Sequence, residues 1–201
     1  MTTTSTSLHQ RFEQLEKVLS SQSFLNMEGL NNEIPFFVFA HPAEDQFAVE
    51  RECSHLLARL RTQGISVCHI DLYDTAIDLI KCDGDFEDIL ELESSVDKGE
   101  IKETLQNLTD PETEMVPAMA KLINKEPFKM LVLTGAGLVF PYMRSHAVLN
   151  NLQSVIKDRP VLLFFPGEYT FTDGRGQSLD LFGKLNEDKY YRAYNIEDFK
   201  L

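Results

Sequence analysis

Apolar residues recur along this chain with two periods, and those periods mark out its elements. Leu8, Phe12, Leu15 and Leu19 are spaced four, three and four apart, the stripe of an amphipathic helix of about three turns. A polar, Gly-containing connector follows from Asn26 to Asn32, so residues 1–30 are expected to be an N-terminal helix and its connector. Ile34-Pro35-Phe36-Phe37-Val38-Phe39-Ala40 carries apolar residues at consecutive positions, which predicts a strand buried on both faces. Pro35 belongs at its start, where a missing donor is tolerated, and His41-Pro42 ends it. A helix is predicted from Glu44 to Arg61, with acids in its first turn, Arg59 and Arg61 in its last, and Gly64 as its stop. Ser66 to Leu72 reads as a second strand. Strand, helix and strand in that order predict a parallel pair joined by a right-handed crossover.

The middle of the chain is helical in character. Ile77 and Ile80, then Phe86, Ile89 and Leu90, then Ile101, Leu105 and Leu108 keep helical spacing, with Gly84 and Gly99 as punctuation. Asp110-Pro111-Glu112 is a helix start, with Asp as the cap and Pro at the first helical position, and Pro117 is expected to kink or restart that helix. Phe128 to Leu133 predicts a third strand, ending at Thr134-Gly135-Ala136-Gly137. Ser145 is expected to cap a helix running to Ile156, with Leu149, Leu152, Val155 and Ile156 facing the sheet. Val161 to Phe165 is the fourth strand, broken by Pro166-Gly167; Tyr169-Thr170-Phe171 and Leu179 to Phe182 then pair as a hairpin around Asp173-Gly174-Arg175-Gly176. The sum is a single α/β domain over residues 1–201. Its mostly parallel central sheet of about four strands is flanked by helices, with a C-terminal β-hairpin and an acidic helical insertion at 74–126.

Composition narrows the class. Of 201 residues, 43% are hydrophobic and 14 are Phe, enough for a sizeable core and incompatible with wholesale disorder. No apolar run approaches the ~20 residues that span a bilayer, and Met1 to Ser7 is polar without the basic and apolar regions of an export signal. A cytoplasmic protein is expected. Cys53, Cys68 and Cys82 are odd in number and form no C-x-x-C pair, so they read as small buried hydrophobes. From Asp71 to Glu114 there are 15 Asp and Glu against three Lys, a local net of −12, whereas the whole chain carries −13. Such a segment repels a phosphate backbone, so direct nucleic-acid binding is not expected. It is either a solvated helical face or a docking surface for a basic partner.

No catalytic set emerges. A dinucleotide fingerprint needs a small residue where Phe140 follows Gly135-Ala136-Gly137, and a Walker A loop needs Gly-Lys-Ser/Thr, whereas Gly183-Lys184 is followed by Leu185. The glycines therefore read as a tight turn, and the alternative is a degenerate nucleotide-binding regulator using the turn at 134–144. Ser145 and His146 are consecutive on a helix and point about 100° apart. No Gly-x-Ser-x-Gly elbow and no H-x-x-x-H pair occurs. No catalytic residue, metal or cofactor is assigned, and the chain is not expected to be an enzyme. Place supplies the remaining candidates. In open parallel sheets, ligands and partners meet the C-terminal strand ends. Those ends carry His41, Asp71, Thr134, Gly135 and Gly137, then Gly167, Glu168 and Tyr169, while Arg144, Ser145 and His146 open the helix after the third strand. Tyr190, Tyr191 and Arg192 have the composition of interface anchors, or of an edge strand laying aromatics on the core.

Several blocks in order carry a resemblance. They are Phe140-Pro141-Tyr142-Met143-Arg144-Ser145-His146, Leu149-Asn150-Asn151-Leu152-Gln153, Phe164-Phe165-Pro166-Gly167-Glu168-Tyr169 and Tyr190-Tyr191-Arg192-Ala193. Over Phe24 to Ile196 the chain resembles the BrxB proteins of the BREX bacteriophage-exclusion systems. That resemblance implies a component of a multi-gene system that methylates host DNA and blocks phage replication, with methyltransferase, ATPase and phosphatase-like activities on other subunits. It implies a non-catalytic adaptor whose partner is the phosphatase-like PglZ subunit, with the methyltransferase PglX in a larger assembly. The family supplies no catalytic residues to carry over. Its members tend to have Asp before the proline at the first strand end, where this chain has His41-Pro42.

Overall fold

The N-terminal helix starts where its side chains can satisfy the first turn. In the computed structural model, which describes residues 7–28, 35–84, 86–172, 176–183, 185–186 and 193–201, the hydroxyl of Ser7 accepts from the Gln10 amide and the Gln10 side chain accepts from the Ser7 amide. This reciprocal capping box opens α1 (Leu8–Ser20). Its predicted stripe is the one that buries: Phe12, Leu15, Val18 and Leu19 face inward, and Leu8 packs at the margin. A short α2 (Gln22–Leu25) follows. Most of the predicted connector lies outside the described residues.

Two compact units divide the chain: Met1–Cys68, Phe128–Val132 and Asp158–Leu201 make the first, and His69–Pro127 with Leu133–Lys157 make the second. The strands are β1 (Phe36–His41), β2 (Val67–Asp71), β3 (Met130–Thr134), β4 (Val161–Thr172), β5 (Gly176–Leu181), β6 (Leu185–Asn186) and β7 (Tyr194–Asn195). Their order is β2-β3-β4-β1-β7, with β5 on β4 and β6 on β5. β3 and β4 therefore lie between β1 and β2, so the predicted strand-helix-strand segment does not join neighbouring strands. β1 pairs in parallel with β4, from Phe36 opposite Val161 to His41 opposite Pro166, and in parallel with β7 at Phe37–Tyr194 and Val38–Asn195. The fold is an α/β fold with a parallel central sheet flanked by helices, as the periodicity predicts.

In the first unit, α1 and α3 (Gln46–Thr62) bury Phe12, Leu15, Leu19, Val49, Cys53, Leu56 and Leu60 with Phe37, Phe39, Leu162 and Phe164. The intervening strand positions Phe36, Val38, Leu163 and Phe165 are buried as well, which is why β1 and β4 read as unbroken apolar runs. Phe12 lies 5.2 Å from Phe39 and 6.0 Å from Phe164, centroid to centroid. Burying one such side chain contributes about 2–3 kcal/mol. The acids placed in the first turn of α3 belong instead to a 3-10 turn before it (Ala43–Asp45), while Arg59 and Arg61 do sit in its last turn. Gly64 follows with a left-handed φ of 79°.

Pro166-Gly167 is a correction. It does not break β4; it marks where β4 changes partner, from parallel β1 ending at Pro166 to antiparallel β5 starting at Gly167 opposite Leu181. Proline has no amide to donate, but its carbonyl still accepts from the Phe182 amide at 2.9 Å. Gly167 is required for a different reason: a Cβ there would run into the Asp180 carbonyl oxygen and the Phe165 ring. The predicted hairpin is present, with Tyr169 opposite Leu179 and Phe171 opposite Gln177. Its turn at 173–175 lies outside the described residues.

The second unit is helical around the ends of β2 and β3. Asp71 caps α4 (Leu72–Asp83), which stops at Gly84 with φ 84°. α5 (Phe86–Glu93) and α6 (Lys98–Leu108) follow. Gly99 punctuates nothing: it sits in the first turn of α6, its amide donating to the capping carboxylate of Asp97. Asp110 caps a π-helical turn (Pro111–Met115), its carboxylate accepting from the Glu112 and Thr113 amides, and α7 (Val116–Ile123) restarts at Pro117 as the sequence predicts. The last helix, α8 (Ser145–Leu152), is shorter than expected, and its cap position is Arg144 with no side-chain cap bond rather than Ser145. Leu149, Leu152 and Ile156 are buried, but Val155 is exposed. Among the described residues no helix is long and apolar enough to cross a membrane.

Candidate functional site

The predicted strand-end residues separate into two clusters, one in each unit. In the second unit, Asp71 ends β2 and faces Thr134 at the end of β3. One oxygen, Oδ1, accepts from the amides of Tyr73 (2.9 Å) and Asp74 (3.1 Å), the usual cap of a helix start. The other, Oδ2, accepts from the Thr134 hydroxyl at 2.7 Å. His69 Nε2 lies 2.9 Å from the same hydroxyl. A hydroxyl has one proton, and a carboxylate only accepts, so Thr134 gives its proton to Asp71 and His69 must donate through Nε2. That order is the reverse of what a nucleophile and its base require, because the histidine offers Thr134 no lone pair. Gly135, next along, adopts φ 78° beneath the Asp71 carboxylate, and a Cβ there would collide with it. This cluster ties two strand ends and a helix start together.

In the first unit, His41 ends β1 opposite Pro166. Residues two apart on a strand share a face, so Glu168 follows Pro166 on the side where His41 stands. His41, Gly167 and Glu168 line an open recess of about 570 Å³, completed by Ala40, Pro42, Ala43, Glu44, Phe182 and Gly183. His41 is 2% exposed, and its ring donates from Nδ1 to its neighbour's carbonyl, Pro42 O, at 2.9 Å. Burial lowers its pKa below the usual 6.5, against the smaller upward pull of that carbonyl bond. Glu44 and Glu168 are exposed. The Glu168 carboxylate lies against Gly183, which has φ 63° and follows Phe182 with φ 57°.

The other candidates divide by role. Tyr169 is half-buried and pins the C-terminal segment, its hydroxyl donating to the Ala193 carbonyl at 3.3 Å; burial raises its pKa. Arg144 is exposed, with its guanidinium 5.0 Å above the Phe140 ring. Ser145 is buried, His146 is half-buried, and Gly137 lies in the irregular turn after Gly135. In that turn, burial beside Tyr73 pushes the Tyr142 phenol to about 12. Tyr194, next in the aromatic run, lies 6.3 Å from Phe37 as an edge strand laying its ring on the core. Tyr190, Tyr191 and Arg192 lie outside the described residues. Among the described residues, no group of three or more His, Cys, Asp or Glu is placed to hold a metal ion.

Glu44, Phe182, His69 and Gly183 are the contributors that the sequence reading passed over. Phe182-Gly183 carried a local signal, an aromatic residue before glycine at a strand end, read there as the end of a strand. The His69–Thr134 tie spans 65 positions, and nothing local announces it.

Comparison with known proteins places the chain. The family model for BREX protein BrxB matches residues 68–196. That span holds the Asp71–Thr134 cluster and the Gly167-Glu168 wall of the recess, while His41 and Glu44 precede it. Over 195 residues the chain is 28% identical to the BREX protein BrxB of Bacillus cereus (strain H3081.97), covering 95% of this chain and 98% of that protein. Over 189 residues it is 27% identical to the BREX protein BrxB of Escherichia coli O9:H4 (strain HS), covering 94% and 91%. No solved structure matches. With well over half its length matched by that model, the chain belongs to the BREX protein BrxB family and is a component of the BREX phage-defence system.

Proposed function

We propose that this chain is a non-catalytic adaptor of a cytoplasmic BREX assembly, holding the PglZ-type phosphatase-like subunit, with the PglX methyltransferase joining in a larger complex. The observation that carries this reading is the α5–α6 segment. Neither helix has a buried residue, and α5 leaves Leu90 and Leu92 exposed among its acids. Apolar side chains set in a field of one sign suit a basic, amphipathic partner surface, which complementary charge steers into place. The ordered Asp71–Thr134–His69 bonds fit a scaffold better than a reaction centre, because the hydroxyl already has its proton committed.

The competing reading, a degenerate nucleotide-binding regulator using the turn at 134–144, is weakened by the Asp71 carboxylate packed over Gly135, which sets negative charge where a phosphate would approach. A thermal-shift series with ATP, GTP and NAD tests it, and stabilisation at millimolar nucleotide would revive it. The adaptor reading is tested by pairwise co-purification. A stoichiometric complex with the PglZ-type subunit is expected, together with loss of phage restriction when the gene is deleted. Capture of no BREX subunit at all removes the adaptor role.

A further inference from the structure

Helix α5 carries one surface for its own chain and another for solvent. A helix turns about 100° per residue, so the apolar residues of α5 fill one broad arc, with Phe86 and Ile89 at its centre, Leu90 at one margin and Leu92 at the other. α5 packs against α4 and α6, Phe86 and Ile89 are half-buried, and the Lys81 ammonium of α4 lies 5.2 Å above the Phe86 ring. The margins stay out: Leu90 is 49% exposed and Leu92 37%. Between the two leucines, on the solvent side, stand Glu87, Asp88 and Glu91, all exposed. None of these three carboxylates has a hydrogen-bond or ion-pair partner among the described residues. Seen from solvent, α5 is a ridge with an acidic crest and a leucine on each flank. α6 is built differently: Ile101, Leu105 and Leu108 form one half-buried stripe, and Lys98 and Lys102 are exposed beside Glu100 and Glu103.

We infer that α5 seats lengthwise in a cleft of a partner protein, one with Lys or Arg along its floor and apolar side chains on its walls. The inference rests on the adaptor reading and names the chemistry of the partner's surface. Leu90 and Leu92 are two positions apart, about 200° around the axis by way of the crest. A flat surface reaches one of them or the other; only a concave one covers both flanks and the crest together. The crest calls for cations. Glu87 with Glu91 and Asp88 with Glu91 are like charges four and three residues apart, a spacing that destabilises a helix standing alone, and cations along the floor relieve that repulsion. They also steer the ridge into place. A nucleic acid carries the crest's own charge and is repelled. Among the described residues no group of His, Cys, Asp and Glu is placed to hold a metal, so the crest is not an ion site.

The experiment mixes the full-length chain with the purified BREX subunit that it captures, the PglZ-type subunit being tried first, and reads affinity and amide hydrogen exchange. Exchange in α5 is expected to slow on binding, and more than in α6. Leu90→Gln and Leu92→Gln are each expected to weaken binding, and the double variant by about tenfold or more. Glu87→Gln/Glu91→Gln is expected to slow association and to flatten its dependence on salt. A control on α6 that removes the same charge, Glu100→Gln/Glu103→Gln, is expected to change affinity by less than about twofold. All six side chains are exposed, so the thermal melt of each variant is expected to match the parent. Exchange in α5 that does not slow, or an affinity that depends on one leucine alone, overturns the cleft. A loss in the α6 control as large as at the crest also overturns it, because a diffuse field would then account for binding. Undiminished capture by every variant overturns the inference and leaves the adaptor role standing. Failure of the wild-type chain to capture any BREX subunit ends the adaptor role and this inference with it.

Discussion

The two strand-end clusters are built from the same kinds of residue and behave as opposites. Each has a histidine, at least one carboxylate and a glycine whose missing side chain makes room for that carboxylate. At Asp71 every strong group is already paired: both carboxylate oxygens, the Thr134 hydroxyl and the His69 Nε2 proton meet one another or a helix start. At His41 the ring bonds the Pro42 carbonyl, and the carboxylates beside it in the recess wall, Glu44 and Glu168, are exposed. A place at the C-terminal end of a parallel strand is therefore not enough to mark a binding site. What distinguishes the two is whether the polar groups there already have partners.

That contrast is breakable by mutation. The largest effect is expected from Gly167→Val, because the new side chain meets the Asp180 backbone and Phe165 with no room to yield; a loss of about 3 kcal/mol is expected in chemical denaturation. Asp71→Ala removes a helix cap and the acceptor of Thr134 together, and about 2 kcal/mol of stability should go with it. Thr134→Val is expected to cost about 1 kcal/mol alone and much less in the Asp71→Ala background; strictly additive losses in that double-mutant cycle would dissolve the cluster as a unit.

The pH dependence comes next. His41 has a folded pKa below 6.5, so the unfolded chain binds its proton more readily than the folded one. Its contribution to stability is then fully present above about pH 6.5 and falls away as the solution is acidified toward the folded value. His41→Gln should flatten that part of the stability profile, and an unchanged slope would mean that another group is responsible. The smallest effect, and the sharpest for the comparison, is Glu168→Gln. An exposed carboxylate with no hydrogen-bond or ion-pair partner among the described residues should change stability by less than about 0.5 kcal/mol in chemical denaturation.

Much of the scaffold was legible because local chemistry dictates it. The Phe12 stripe, the unbroken apolar run of β1 and the Asp110-Pro111 start each depend on residues within a turn or a strand of one another. The misreadings come from decisions made at a distance. Pro166-Gly167 carries a turn signal, yet β5 arrives from farther along the chain and continues the strand with a new partner. Ser145 has the chemistry of a cap but is drawn into the helix, leaving Arg144 at the boundary. The site residues divide in the same way. His41 and Glu168 were picked by their place at strand ends, whereas Glu44, Phe182 and Gly183 enter the recess only because β1, β4 and β5 meet there. That meeting depends on pairings no short window contains.

The unbroken course of β4 has a mechanical consequence. Its first half is threaded through the middle of the core and its second half forms one leg of the hairpin, so a single backbone joins the two. A force or a ligand acting on the hairpin is delivered along that backbone to the centre of the sheet. The hairpin accordingly works as a handle fixed to the core, and cutting β4 between Pro166 and Gly167 would sever the two in one stroke.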